Sequence, residues 1–63
     1  MSTMIVTVEP STFGGEESAY IVITHGKKVS RKVMLVESVP EFLDRLSLAA
    51  ERRGVEIEIA NSL

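Results

Sequence analysis

The chain has 63 residues, which is room for one domain, and a fold of this size buries only about 60% of the surface that its unfolded chain exposes. It contains no cysteine, which excludes a disulfide framework and a thiolate metal site. Its net charge of -2 argues against a general nucleic-acid-binding protein, because neutralising phosphates favours a basic surface.

Three strands are predicted in the first half of the chain. Met4 to Val8 is β-branched and apolar, and Pro10 is expected to close this strand because proline cannot donate to a following ladder. Residues 11–18, with paired glycines, predict a mobile loop. A second strand from about Ala19 to Thr24 and a third reaching about Glu37 flank a tight turn over residues 25–28, where Gly26 can supply a positive φ.

A helix with clear boundary signals follows the third strand. Ser38 and Glu41 have the spacing of a capping box, and Pro40 suits the first turn, where an amide hydrogen has no helical partner. Gly54 is expected to end the helix in the left-handed conformation. The predicted apolar stripe consists of Val39, Phe42, Leu43, Leu46, Ala49 and Ala50. In residues 55–59, branched apolar residues alternate with glutamates, which predicts a strand with one buried face.

These elements predict one α+β domain over residues 1–63, of βββαβ order, with a four-stranded mixed sheet and one helix packed on one of its faces. The crossover through the helix is expected to be right-handed and to make the third and fourth strands parallel. The fourth strand then lies beside the first, in the order 3-2-1-4, or beside the third. The first arrangement is our preferred prediction.

Both faces of the predicted sheet are apolar, although one helix covers only one of them. A turn of even length places Ile21, Ile23, Met34 and Val36 on one face and Tyr20, Val22, Val29, Val33 and Leu35 on the other, whereas a three-residue turn swaps the pairing. The uncovered side chains are either tolerated exposure or a contact with a second copy or a protein partner. We expect a contact through the interface residues Tyr20, Val22, Met34 and Val36.

A basic hairpin suggests an alternative function. Lys27, Lys28, Arg31 and Lys32 cluster around one turn, and a basic two-stranded ribbon can follow nucleic-acid phosphates. Basic residues in such a place also protect an edge strand from pairing. The alternative is therefore a nucleic-acid-binding accessory protein that uses residues 27–32.

No catalytic, metal or cofactor site can be assembled from the sequence. His25 is the only histidine and has no candidate orienting partner, Gly14-Gly15 lacks the lysine of a phosphate loop, and Glu56 with Glu58 reads as a solvated edge. No apolar run approaches the roughly 20 residues of a membrane helix. We expect a non-enzymatic, cytoplasmic interaction protein, and the absence of glutamine is a bias found in proteins from hot environments.

Overall fold

The computed structural model describes residues 2–11 and 17–63 and shows the predicted α+β domain. Its elements are β1 (Thr3–Ser11), β2 (Ser18–His25), β3 (Lys28–Leu35), a 3₁₀ turn (Val36–Ser38), α1 (Val39–Arg52) and β4 (Glu56–Asn61). The βββαβ order and the single helix are as predicted. The predicted mobile loop, with its paired glycines, falls largely on residues 12–16, which lie outside the described residues.

The four strands form one mixed sheet in the order β3-β2-β1-β4, which confirms the preferred arrangement. β1 pairs with β2 in the antiparallel sense and with β4 in the parallel sense, and β2 pairs antiparallel with β3. β3 and β4 therefore run in the same direction, as the crossover rule requires, and form the two edges of the sheet.

Pro10 does not close β1, because the strand continues to Ser11. The Ser62 amide donates to the Val8 carbonyl at 2.9 Å, so the backbone polar groups of Val8 point toward β4. Those of Pro10, two residues further on, point to the same side. The last β1–β4 pair is Val8 with Asn61, so the missing amide hydrogen of Pro10 falls beyond the ladder and costs no bond.

The β2–β3 turn has the even length that places alternate residues on defined faces. His25 pairs with Lys28, which leaves Gly26 and Lys27 as the two central residues. Gly26 has a φ of 63°, whereas Lys27 has a negative φ, which is the pattern of a type II′ turn. The right-handed twist of this turn matches that of the strands it joins, so the hairpin needs no bulge.

The core lies between α1 and one face of the sheet. Its fully buried members come from the two central strands and the start of the helix: Val6, Val8, Ala19, Ile21 and Val39. Half-buried side chains pack around them, including Phe42, Leu43 and Leu46 of the predicted helical stripe. Ala50 is also buried, but Ala49 is exposed, so the stripe is correct except at that position.

The predicted capping box at the start of α1 is wrong. Ser38 makes no side-chain cap bond and has φ −87° and ψ −13°, which is a helical conformation rather than the extended one of a capping residue. The preceding 3₁₀ turn causes this, because it makes Ser38 its last residue. The Glu41 carboxylate instead accepts a hydrogen bond from the Arg45 guanidinium at 2.7 Å.

The end of α1 follows the prediction closely. Gly54 has a φ of 69°, and its amide donates to the Glu51 carbonyl at 3.1 Å. The Val55 amide donates to the Ala50 carbonyl at 2.9 Å. These two bonds form a Schellman motif, which satisfies two carbonyl groups that would otherwise lack helical partners. The motif turns the chain directly into β4.

Candidate functional site

The sheet face opposite α1 carries a connected apolar surface, which we call the open face. Its side chains come from every second residue of the four strands, and the register aligns them in rows. Val33 pairs with Tyr20, and in the next row Arg31 pairs with Val22. The apolar members are Ile5, Tyr20, Val22, Val29, Val33 and Leu35, with Ala60 at the opposite edge.

Several of these side chains are unusually exposed for their size. Val33 is 52% exposed and Ile5 is 45% exposed, while Val29 and Leu35 are similar. Tyr20 and Val22 are half-buried, because neighbouring strands flank them on both sides. Scattered exposed apolar residues are normal, but contiguous ones mark contact surfaces. The patch is centred on β2 and β3.

Charged side chains flank the apolar patch unequally. Arg31 lies on the β3 edge of the open face, whereas Glu56 and Glu58 lie on the β4 edge. Glu9 lies on β1 beside Tyr20, four residues along the strand from Ile5, the neighbour of Glu58. The open face therefore carries a single cation within its apolar β3 edge and two carboxylates on its β4 edge.

The structure places only half of the predicted interface on the open face. Tyr20 and Val22 lie there, whereas Met34 and Val36 pack against the buried core on the α1 side. The set Tyr20, Val22, Met34 and Val36 is therefore not one surface, because the even-length turn pairs Tyr20 with Val33 rather than with Met34. The predicted set lacks Val29, Val33, Leu35 and Ile5, which also lie on the open face. A turn of two residues, once assumed, identifies the three β3 residues among them.

The basic residues surround β3 instead of forming a single patch. Lys27 lies in the turn, Lys28 and Lys32 lie on the α1 side of the sheet, and Arg31 lies on the open face. All four are exposed. Lys28 and Lys32 share a face with Ser30. Arg31 does not share that face, so a surface lying on one side of the hairpin cannot contact the whole predicted basic set.

One of these lysines is held in place by an aromatic ring. The Lys32 ammonium lies 5.2 Å from the centroid of the Phe42 ring, within the range of a cation–π interaction. Phe42 belongs to α1, so this contact joins the β3 edge to the helix. A shallow depression of about 260 Å³ lies beside it and is lined by Met34, Ser38, Glu41, Phe42 and Arg45.

His25 lies at the end of β2 and borders a small apolar depression of about 220 Å³. Its neighbours there include Met4, Leu46 and Arg53, which provide neither a carboxylate to orient the imidazole nor a nucleophile. Within the described residues, no group of three or more histidine, aspartate or glutamate side chains is arranged to hold a metal ion. Glu56 and Glu58 lie on the open face as a pair, and the described residues bring no third ligand to them.

In the described part of the chain, no helix is long and apolar enough to cross a membrane. Comparisons of the chain with protein-family models, with curated proteins and with solved structures gave no match in any of the three.

Proposed function

We propose that this chain is a small non-enzymatic interaction protein that self-associates through its open face, or docks on a protein partner through the same face. The observation that carries the proposal is the connected apolar surface on the side of the sheet that α1 leaves uncovered. Four of its large apolar side chains are more than 40% exposed: Ile5, Val29, Val33 and Leu35. Burying them against a second apolar surface would be favourable.

The size of the open face indicates the strength of such an association. Four strands spaced about 4.8 Å apart and about eight residues long give a face of roughly 19 Å by 26 Å. Its flat footprint is therefore about 500 Å², and a contact confined to it would be smaller than a standard stable interface, in which each partner buries roughly 800 Å² of accessible surface. We therefore expect a weak dimer that dissociates in the micromolar range, with two sheets packed about 10 Å apart.

The sheet edges are poorer sites for symmetric self-association. Two β3 strands related by a two-fold axis would bring Arg31 and Lys32 of both copies close together. Two β4 strands would do the same with Glu56 and Glu58. Like charges placed opposite each other destabilise strand pairing, so the charges direct self-association to the face.

The test compares two variants at equally exposed apolar positions. Val33 is 52% exposed and lies on the open face, whereas Leu48 is 54% exposed and lies on α1, away from the sheet. Val33→Lys should abolish the dimer in sedimentation velocity at micromolar concentration, because it would bury an unpaired ammonium group in the contact. Leu48→Lys adds the same charge and should leave the dimer intact.

A wild-type chain that remains monomeric up to millimolar concentration would refute self-association. Loss of the dimer in both variants would show that added charge, rather than the open face, controls assembly. Circular dichroism of both variants should match that of the wild type, since neither side chain belongs to the core.

A further inference from the structure

We propose that the outer edge of β3 binds an acidic, extended peptide segment of a partner protein, which adds to the sheet as a fifth strand. Within the described residues, β3 pairs with β2 alone, so its second row of amide and carbonyl groups is open to a new strand. Seven of its eight residues are exposed, and Met34 is the half-buried one. This site is the outer edge of β3 and not the open face, although Arg31 and Val33 border both.

The distribution of charge around β3 favours a strand over a nucleic acid. Side chains of an added strand alternate between the two faces of the sheet, so one peptide can reach Arg31 on the open face and Lys32 on the α1 side. A duplex lying on either face would contact only part of the basic set. Half of the open backbone groups are also carbonyl oxygens, which repel phosphates but accept hydrogen bonds from peptide amides.

The neighbouring residues define the chemistry of the peptide further. Arg31 and Lys32 are adjacent, so two consecutive acidic residues in the peptide would meet one cation on each face. The next positions along β3 are Val33 and Met34, which suit apolar peptide residues. The depression beside Met34 and Phe42 has space for the apolar side chain of the peptide that lies on the α1 side of the sheet. The expected motif is therefore an acidic pair beside an apolar pair.

The ammonium group of Lys32 is restricted in position before any peptide binds. Its contact with the Phe42 ring, at 5.2 Å, holds the side chain over α1 and reduces the entropy lost when a carboxylate binds. The other edge of the sheet, β4, carries Glu56 and Glu58, which would repel an acidic segment. The two edges therefore differ in which partner they accept.

The experiment titrates the full chain with a fluorescent, end-blocked synthetic peptide of about eight residues, the length of a typical strand. Two branched apolar residues stand on each side of two central glutamates, so that the acidic and apolar pairs match β3 in either strand direction. Fluorescence anisotropy should report saturable binding. Lys32→Glu should weaken it about tenfold or more, because the acidic peptide would then face a like charge. The same variant should self-associate like the wild type, since Lys32 lies on the α1 side. A peptide with glutamine in place of both glutamates should also bind more weakly.

Backbone pairing is tested with two further peptides, each N-methylated on one of the two alternating sets of amides. Only one set faces β3, so one peptide should lose binding while the other retains it. Equal affinity of both, or no binding of the parent peptide, would overturn the proposal. Stronger, Lys32-dependent binding of an oligodeoxythymidylate would assign the edge to nucleic acid instead. The chain could instead form open-ended oligomers, with β3 of one copy paired to β4 of the next. Oligomers of this kind that are lost in both Lys32→Glu and Glu58→Lys would show that the β3 edge binds β4 of a second copy.

Discussion

Gly54 shows how much a single backbone conformation contributes to this small fold. Its φ of 69° lies in the left-handed region, and a Cβ added there would meet no atom within 4 Å. The cost of Gly54→Ala is therefore conformational and not steric, and we expect a loss of about 1–2 kcal/mol in the free energy of unfolding, measured in urea.

Gly54→Asn is the matched variant, because asparagine adopts the left-handed conformation more readily than alanine. It should lose clearly less stability than Gly54→Ala. Equal losses in the two variants would mean that the ease of adopting the left-handed conformation does not determine stability at this position.

Residue-level motifs differ in how well the sequence predicts them. The glycines at 26 and 54 were predictable, because both positions require a positive φ that other residues rarely adopt. The absence of a capping box at Ser38 and Glu41 was not predictable from their spacing, since a capping box also needs an extended backbone at the serine. That conformation depends on the 3₁₀ turn before it, which leaves no clear signal in the sequence.

At the scale of one element, α1 contains two leucines with opposite environments. Leu46 packs against the core, whereas Leu48 is exposed. Leu46→Ala should lower the free energy of unfolding by about 2 kcal/mol, the low end for such substitutions because the side chain is only half-buried. Leu48→Ala should change it by less than about 0.5 kcal/mol.

Urea titration of both variants checks this difference, and alanine keeps the helix propensity high in each case. A larger effect at Leu48 than at Leu46 would mean that α1 is rotated about its axis relative to the sheet. It would also remove Leu48 as a control position for the open face.

The two strands of the hairpin show where prediction from sequence reaches its limit. Their existence and the location of the turn follow from the apolar runs and Gly26. The face of each β3 residue depends on the number of turn residues, and a change of one exchanges every side chain between faces. The grouping of Tyr20 with Met34 required an odd-length turn. The structure has an even one, which places Val33 beside Tyr20.

At the scale of the whole molecule, short connections and a right-handed crossover reduced the strand order to two arrangements, and the structure has the preferred one. The candidate surfaces were less accessible to prediction. The strand composition predicted that both faces of the sheet would be apolar. The separation of Arg31 from Lys28 and Lys32 onto opposite faces required the pairing register of β2 with β3. Sites defined by cross-strand neighbours need that register.

The parallel pairing of β1 with β4 determines how the molecule responds to a pulling force. Ser2 lies at one end of this pair, where its carbonyl accepts a hydrogen bond from Glu56 at 3.2 Å. Ser62 lies at the other end and donates to Val8. Force applied between Ser2 and Ser62 acts along the strands and loads all the β1–β4 bonds together. Force applied between Ser2 and Glu56 separates the strands from one end and loads the bonds one after another.

The chain has no cysteine, so handles can be attached at chosen pairs of introduced thiols. The doubly substituted chain with Ser2→Cys and Ser62→Cys should unfold at a clearly higher force in single-molecule pulling than the chain with Ser2→Cys and Glu56→Cys. Equal forces in the two geometries would show that another part of the fold yields before the β1–β4 pair. The expected difference in force would show that one strand pairing makes the protein mechanically strong in one direction and weak in another.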